Sequence, residues 1–219
     1  MYGVLEVGGE ITAIKAQKRN RKRVNVYLDG EYAFSLKAIV AASLRQGEHL
    51  SDVGIAQLQM EDTVQEAHDR ALSYLAYRPR SRSEMGHYLR RKAVPPQVIE
   101  EIQGRLSAAG LLDDAAFARY WVDNRETFRP RGRRLLRQEL RQKGVDDELI
   151  TETLSVVDEQ QSAYRAALQQ GTRYDRLDDD LYRQKMYSFL RRRGFEYEVI
   201  RETISSLLGQ RSEEGAPGS

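Results

Sequence analysis

The chain contains no cysteine and only five prolines and three histidines among its 219 residues. The lack of cysteine excludes disulfides and thiolate metal sites, and it suits the cytoplasm, where we expect the protein to reside. The scarcity of proline, with 40% hydrophobic and 31% charged residues, is typical of a soluble, helix-rich protein. The apolar stretch Ala38–Leu44 is too short to span a bilayer, and residues 1–10 do not resemble a signal peptide. We therefore expect no membrane partner.

The residue constellations that carry catalysis are also missing. The three histidines, His49, His68 and His87, lie 19 residues apart, which is not the spacing of a zinc site. The sequence has neither a phosphate-binding glycine loop nor a nucleophile elbow. Acidic groups occur at Asp113-Asp114, Asp146-Asp147 and Asp178-Asp179-Asp180. They could bind Mg²⁺, but two of them lie where helices should begin, so we interpret them as helix caps. We predict a protein that is not an enzyme and has no cofactor or metal.

What the chain does have is a pattern that occurs three times. It reads Leu89-Arg90-Arg91-Lys92, Leu140-Arg141-Gln142-Lys143 and Leu190-Arg191-Arg192-Arg193. A turn follows each copy, an isoleucine lies ten residues after each leucine, and the copies begin 51 and 50 residues apart. A fixed period of this length predicts tandem modules, which offer a long surface rather than one pocket. The pattern favours a protein that binds something long.

Hydrophobic periodicity separates an N-terminal β region from a helical remainder. Residues 10–36 alternate with period two, and Asp29-Gly30 predicts a tight hairpin turn inside a three-stranded meander. Short helices are expected at 37–45 and from Ser51 to about Met60. Beyond about residue 62 the period becomes 3.6, which predicts three helices in each module.

The predicted fold is therefore mainly α, with tandem three-helix modules that follow an N-terminal β-hairpin or meander extension. The predicted divisions are 1–62 for the β-rich extension with its short helices, 63–111, 112–158 and 159–208 for the three modules, and 209–219 for a disordered polar tail. In the first module Ser81 and Glu84 form a capping-box pattern. Ala93 stands at the turn where the other two modules have glycine.

The net charge is only +2, but the charges are sorted along the chain. Residues 15–23 carry six positive charges and no acid, whereas 78–92 carry six and 129–143 carry seven, each against one glutamate. Residues 48–69 and 146–159 each carry six acids and no Lys or Arg. Basic clusters of this density either neutralise phosphates without reading a base sequence or meet an acidic protein surface. The residues alone leave both alternatives open.

Most candidate contact residues lie in the breaks between the first and second helices of the modules. The candidate contacts are Arg78, Arg80, Arg82, Arg129, Arg131, Arg133, Arg134, Arg90, Arg91 and Lys143, with Lys18, Arg19, Arg21, Lys22 and Arg23 in an N-terminal basic loop. The third break, residues 171–180, contains four aspartates and should bind a polyanion poorly. Cations after the second helices, such as Arg191–Arg193, equally serve the helix dipole. Tyr77 is a candidate for stacking on a base, whereas Trp121 is expected in the core.

Four segments carry a resemblance to a known family. They are NVYLDGEYAFSL at 25–36, YLAYRPRSRSEMGHYLRRKAVPPQVI at 74–99, GLLDDAAFARYWVDNR at 110–125 and RGRRLLRQELRQKGVDDELI at 131–150. They resemble the RecX family, the bacterial regulators of the RecA recombinase, and the resemblance covers roughly residues 11–208. It implies an elongated, curved array of three-helix modules without a catalytic site.

The resemblance also implies the partners. A RecX protein binds RecA filaments and blocks filament growth, ATP hydrolysis and strand exchange, in recombinational repair and the SOS response. Weak, sequence-independent binding of single- and double-stranded DNA is implied as well, and we expect a monomer. The alternative from the residues is a sequence-independent DNA- or RNA-binding helical repeat protein. A nuclease is a third reading, which the missing catalytic constellation disfavours.

Overall fold

The structure, a computed structural model, describes residues 8–171, 173–174 and 176–214, without the side chains of 212–214. Four strands come first: β1 Gly9–Ala16, β2 Arg23–Leu28, β3 Glu31–Lys37 and β4 His49–Leu50. Nine helices follow in this described part: α1 Asp52–Leu75, α2 Arg82–Arg91, α3 Pro96–Ala108, α4 Asp114–Phe128, α5 Arg133–Gln142, α6 Asp147–Ser155, α7 Glu159–Gly171, α8 Asp179–Arg192 and α9 Tyr197–Glu214. The fold is thus mainly helical with a small N-terminal sheet, as the sequence predicts.

The chain forms two compact units. The first unit consists of the described residues through Arg78 together with Met85–Leu111. The second unit consists of Pro79–Glu84 together with the described residues from Leu112 onward. The division passes through α2, so the start of that helix belongs to the second unit and the rest to the first. None of the helices in the described part of the chain is long and apolar enough to cross a membrane.

The sheet in the first unit is antiparallel with the order β3-β2-β1-β4. Its three long strands form the predicted meander, and the two-residue strand β4 is an addition that the sequence did not predict. Asp29 and Gly30 have φ values of 48° and 90°, which is the left-handed conformation of a two-residue hairpin turn. Alternating side chains such as Ile11, Val26 and Leu36 are fully buried on one face.

The helix α1 corrects one prediction. We expected a helix ending near Met60 and a second one starting near 62. Instead α1 runs unbroken through both, from its Ser51 cap to Leu75. After Gly54 it contains neither glycine nor proline, so nothing local stops it. Asp62, in the middle, is buried because its carboxylate accepts hydrogen bonds from Arg23 at 2.9 Å and from the Lys37 N–H at 2.5 Å.

The predicted helix at 37–45 is also shorter than expected. Only Val40–Ser43 is helical, as a single turn of 3₁₀ helix. The turn is followed by Leu44 in an extended conformation and by Gly47 at φ 87°, which lead the chain back into β4. The predicted helix is shortened at both ends, because β3 extends to Lys37 and the chain is already extended at Leu44.

The repeated leucine and isoleucine residues form the cores of the modules. Leu89, Leu140 and Leu190 are fully buried. In every copy the leucine carbonyl accepts a hydrogen bond from the N–H five residues later, at 3.2, 3.1 and 3.3 Å, which is the Schellman pattern of a helix end. The turn residue before that N–H is left-handed in all three: Ala93 has a φ of 57°, against 72° for Gly144 and 88° for Gly194. Ala93 therefore adopts the glycine conformation at a steric cost.

The acidic groups begin helices. The Asp113 carboxylate accepts hydrogen bonds from the N–H groups of Ala115 and Ala116, at 2.8 and 3.1 Å. Asp146 and Asp178 cap α6 and α8 in the same way, at 2.9 Å in each case. The predicted role of the aspartates as caps is therefore confirmed. Among the residues that the structure describes, no group of three or more His, Asp or Glu could hold a metal ion.

The last helix corrects another prediction. We expected a disordered tail from residue 209, but α9 continues to Glu214. Arg211 explains the extension: its guanidinium donates to the Leu177 carbonyl at 2.9 Å and lies 4.4 Å from the centre of the Tyr182 ring. The remaining part of the predicted tail, 215–219, lies outside the described residues.

Candidate nucleic-acid interface

The second basic break, Arg129–Gly132, is fixed to the turn that follows α8. The Gly132 N–H donates to the Arg193 carbonyl at 3.0 Å, and the Arg193 guanidinium donates to the Pro130 carbonyl at 3.3 Å. A Cβ atom on Gly132 would lie 2.1 Å from the Gly194 carbonyl oxygen, so only glycine permits this approach. The second and third modules are therefore joined through backbone contact at the break.

The first break makes an equivalent junction, within the second unit, with the turn that follows α5. The Ser81 hydroxyl donates to the Lys143 carbonyl at 2.6 Å and accepts from the Glu84 N–H at 3.1 Å, so the predicted Ser81 cap also ties the break to this turn. A Cβ atom on Gly144 would lie 2.4 Å from the Ser83 Cβ. We call each of these two contacts a module junction.

An acidic side chain completes each module junction. The Arg82 N–H, at the start of α2, donates to Asp114 at 2.7 Å. The Arg133 N–H, at the start of α5, donates to Glu159 at 3.0 Å. Burial raises the pKa of both carboxyls, while the hydrogen bonds from Arg82 and Arg133 act in the opposite direction. The free N–H groups at the starts of α2 and α5 are thus satisfied by an acid at the start of the first helix of the following module.

Several of the candidate arginines form ion pairs within the protein. Arg131 pairs with Glu139, whose carboxylate also accepts hydrogen bonds from Arg125 at 2.9 Å and from the Trp121 indole at 2.8 Å. Burial, followed by the charges of neighbouring arginines, lowers the pKa of Arg131. Arg133 pairs with Glu159 at 4.0 Å and donates to a backbone carbonyl near the end of α6. Sequence reasoning missed Glu139, although a lone acid within 129–143 was a usable signal.

Lys143 is engaged as well. Its ammonium group pairs with Glu84 at 2.7 Å and lies 4.9 Å from the centre of the Trp121 ring. Trp121 packs on the second-module core, as predicted, with Arg125 at 4.3 Å on its ring. The indole ring therefore contacts two cations, both of which have a carboxylate partner.

Other arginines of the same region face solvent. Arg129 and Arg134 are exposed. Arg134 lines a surface pocket together with Ser188, Arg191 and Arg192, which come from the end of α8. We name the exposed arginines Arg129, Arg134, Arg191 and Arg192 the junction patch. The sequence assigned Arg191 and Arg192 to the helix dipole and did not place them beside Arg134, because the two segments meet only through the fold.

The first-break candidates are divided between the two units. Arg78 belongs to the first unit, whereas Arg80 and Arg82 belong to the second. Arg82 is exposed, and the other two are half-buried. Arg90 and Arg91 are exposed in the last turn of α2, where a positive charge also favours the helix dipole.

The N-terminal basic loop is mostly exposed. Lys18, Arg19, Arg21 and Lys22 all face solvent. Arg23 does not act with them, because its guanidinium donates to the Ser35 carbonyl at 3.0 Å and pairs with the buried Asp62 at 2.9 Å. Of the five residues in this loop, Arg23 therefore has a structural role.

An exposed aromatic residue precedes each of the first two breaks. Tyr77 is 86% exposed and Phe128 is 69% exposed, each at or just beyond the end of the first helix of its module. They occupy equivalent positions in the repeated sequences Tyr77-Arg78-Pro79-Arg80 and Phe128-Arg129-Pro130-Arg131. Sequence reasoning considered Tyr77 as a stacking residue and missed Phe128, although the repeated Arg-Pro-Arg identifies it.

The fold and its module junctions define a protein of tandem three-helix modules behind an N-terminal sheet. Family models of RecX match it in four places: the N-terminal domain at residues 9–51, and the first, second and third three-helix domains at 67–106, 113–154 and 158–204. The chain belongs to the RecX family.

Individual relatives agree with this assignment. The regulatory protein RecX of Bacillus licheniformis is 37% identical over 195 residues, which cover 87% of this chain and 74% of that protein. The regulatory protein RecX of Bacillus subtilis is 34% identical over 209 residues, covering 93% and 79%. A crystal structure of a regulatory protein RecX superposes with a TM-score of 0.70 at 31% identity and covers 90% of this chain and 99% of that one.

Proposed function

We propose that this protein inhibits RecA by binding the filament that RecA forms on DNA, and that binding blocks filament growth, ATP hydrolysis and strand exchange. Membership of a family whose curated relatives are called regulatory proteins supports a regulatory role. The observation that carries the proposal is the junction patch, in which exposed Arg134 of the second module shares a surface pocket with Arg191 and Arg192 of the third, close in sequence to the hydrogen bonds that join Gly132 and Pro130 to Arg193. Such a surface suits a polyanion or a nucleoprotein.

Repetition of the contacts supplies the affinity in this proposal. A filament presents the same surfaces at regular intervals, and a chain of similar modules contacts several of them at once. Each further contact then forms at a high effective concentration, so individually weak sites add to tight binding. A protein that bridges neighbouring protomers hinders the rearrangements between them that turnover requires.

Direct contact with DNA is the second part of the proposal. The supporting observation is the pair of exposed aromatic residues, Tyr77 and Phe128, each followed by Arg-Pro-Arg. Aromatic side chains beside arginines bind single strands without sequence preference. Sequence-independent nucleic-acid binding without RecA remains the competing function, and the same residues favour it.

The test is DNA-dependent ATP hydrolysis by RecA in the presence of sub-stoichiometric amounts of this protein. We expect inhibition, and full activity at every ratio would overturn the proposal. The double variant Arg129→Ala/Arg134→Ala should inhibit less, while Arg173→Ala/Arg176→Ala, which removes two exposed arginines from the acidic third break, should inhibit like the wild type.

A binding assay separates the two functions. At equal salt, an inhibitor of RecA should bind RecA-coated DNA more tightly than naked DNA. Equal affinity for both would favour the general nucleic-acid-binding protein.

A further inference from the structure

The third module has an apolar groove between its last two helices. The groove has a volume of about 600 Å³ and is lined by Tyr187 of α8 and by Tyr197, Ile204 and Leu208 of α9. Tyr197 is 59% exposed, and its ring meets the Tyr187 ring edge-on, with 6.2 Å between the ring centres. A contiguous apolar surface of this kind is typical of a site where another molecule binds.

The module fold itself does not require this groove. By the spacing of the repeat, the residues that stand in place of the two tyrosines in the second and first modules are Arg137, Asp147, Gly86 and Pro96. The helix α9 has 18 residues, against 13 in α3 and nine in α6. By the same spacing, Leu208 lies in the part of α9 that α6 lacks. The other two modules fold without such a surface, so packing does not explain its presence in the third.

The groove is preformed, because α9 is fixed to both neighbouring helices of its module. The Arg211 guanidinium donates to the Leu177 carbonyl at 2.9 Å and lies 4.4 Å from the centre of the Tyr182 ring of α8. Farther back along α9, the buried Thr203 hydroxyl accepts a hydrogen bond from the Gln160 amide of α7 at 3.2 Å. A groove with fixed walls binds a partner without the cost of ordering those walls.

The charge at one end of the groove favours a protein over a nucleic acid. Asp180 lines the groove in the first turn of α8, and its side chain is 95% exposed. Arg183 pairs with Asp180 at 2.9 Å, so the neighbouring Asp178 and Asp179, which are both exposed, keep this end acidic. Carboxylates repel a phosphate backbone. An apolar centre beside an acidic end therefore suits the side chains of a polypeptide.

The opposite end of the groove is basic, which gives the groove an electrostatic direction. Ser188 lines both the groove and the pocket that contains Arg191 and Arg192. From Asp180 to Ser188 the groove follows α8 for about 12 Å, which is roughly two helical turns. An α-helix has a partial positive charge at its N-terminus and a partial negative charge at its C-terminus. The groove therefore complements a helix whose N-terminus lies at the aspartates and whose C-terminus lies at the arginines.

We propose that this groove binds an amphipathic helix of a protein partner, which in the setting of the proposed function is the RecA protomer. Apolar side chains of that helix, at positions i, i+3 or i+4 and i+7, pack between Tyr187, Tyr197 and Leu208. The inference rests on the proposed function only for the identity of the partner. It gives the third module a protein contact of its own, which does not depend on the arginines of the junction patch.

Two substitutions in the groove test the contact. Tyr197→Ala should weaken binding of the full-length protein to RecA filaments on the order of tenfold, measured by surface plasmon resonance on filaments immobilised through their DNA. The loss should be the same at low and high salt, because an apolar contact releases no counterions. Ser205→Glu should also weaken binding, because it places a carboxylate among the apolar contacts. Ser205 is exposed on α9, so this second variant should fold normally.

The matched control is Tyr32→Ala in β3. Tyr32 is 57% exposed and meets the Tyr27 ring edge-on at 6.0 Å, so the control removes the same side chain from a similar environment. It should bind filaments like the wild type. An equal loss in the control, or wild-type affinity in both groove variants, would overturn the proposal. Binding of a labelled oligothymidylate should be unchanged in Tyr197→Ala, and a loss there would show that the groove contacts nucleic acid instead.

Photo-crosslinking identifies the occupant of the groove. With p-benzoylphenylalanine in place of Tyr197, the full-length protein should form an adduct with a helical segment of RecA, which mass spectrometry locates. An adduct with DNA, with a second copy of this protein or within its own chain would overturn the proposal.

The ATP hydrolysis assay separates failure of the groove from failure of the proposed function. If the wild type inhibits RecA and both groove variants inhibit equally well, the groove is wrong and the proposed function stands. If position 197 cross-links to RecA while the wild type has no effect on ATP hydrolysis, the groove stands and the proposed function is wrong. If the wild type neither binds nor cross-links to RecA, both are wrong.

Discussion

Glu139 is a buried acid of the second module, and its substitution tests how much its contacts stabilise the fold. Its side chain is 10% exposed and binds three partners: Trp121, Arg125 and Arg131. Glu139→Gln keeps the shape and one acceptor oxygen but removes the charge that compensates two arginines. The substitution therefore tests the ion pairs and leaves the packing nearly unchanged.

The expected loss in the free energy of unfolding follows from the burial of these ion pairs. Removing one partner of a buried ion pair costs about 3–5 kcal/mol. Arg125 and Arg131 keep some access to water, at 22% and 25% exposed, so solvent screens part of the loss. We expect the free energy of unfolding to fall by about 2–3 kcal/mol and, for a chain of this length, Tm to fall by roughly 4–12 °C.

The assay uses the only tryptophan of the chain, Trp121. Its indole donates to Glu139, so its fluorescence reports both the contact and the unfolding of this module in urea. The control is Glu152→Gln, which removes the same charge from an exposed position on α6. The reasoning is refuted if Glu139→Gln and Glu152→Gln unfold at the same urea concentration, with a difference below about 0.5 kcal/mol.

Three further predictions concern single positions. Ala93→Gly should stabilise the protein by about 0.5–1 kcal/mol in urea unfolding. The left-handed backbone costs alanine about 1–2 kcal/mol, and the greater conformational entropy of glycine in the unfolded chain cancels part of that gain. Destabilisation would show that the conformation of Ala93 carries no strain. Asp113→Ala should cost about 1 kcal/mol through the lost cap, and Asp113→Asn should restore most of it; equal stability of both variants would contradict the capping role. Burial raises the pKa of Glu159, so the folded state binds this proton more tightly. The stability that protonated Glu159 contributes to the folded state is then fully present below the ordinary pKa of a glutamate. It is lost as pH rises through the pKa of Glu159 in the folded protein. The Tm of the wild type, measured relative to that of Glu159→Gln, should therefore fall as pH rises from the ordinary pKa of a glutamate to its raised value in the folded state. A difference in Tm that stays constant over this pH range would show that the pKa of Glu159 is not raised.

The predictions that the structure confirms rest on patterns that can be read directly along the chain. The Asp29-Gly30 hairpin depends on two adjacent backbone conformations, and the Asp113 and Asp146 caps bond to residues two or three positions away. The repeated leucines were found by spacing alone, and they are buried in every module. The hairpin and the caps are decided by residues a few positions apart, and the repeat is visible as a spacing of 51 and 50 residues, so the sequence contains the information for each.

The errors came from contacts between distant segments. The predicted break near Met60 is absent, and Asp62, in the middle of the continuous helix, pairs with Arg23 on a strand far earlier in the chain. The predicted tail is helical to Glu214 because Arg211 bonds to the Leu177 carbonyl. The predicted divisions of the chain into the N-terminal extension, the three modules and the tail were not tested, and they stay predictions.

The candidate site also depends on contacts between segments that are distant in the sequence. The sequence by itself determined the three-module repeat and the two basic breaks, because the period, the charge and the Arg-Pro-Arg runs can be read directly along the chain. Only the tertiary structure decided which arginines of one run turn inward to Glu139, as Arg131 does, and which remain outside, as Arg134 does. It also brought Arg134 to Arg191 and Arg192. The physical reason is that an ion pair or a shared pocket depends on distance in space, and packing sets that distance independently of separation along the chain.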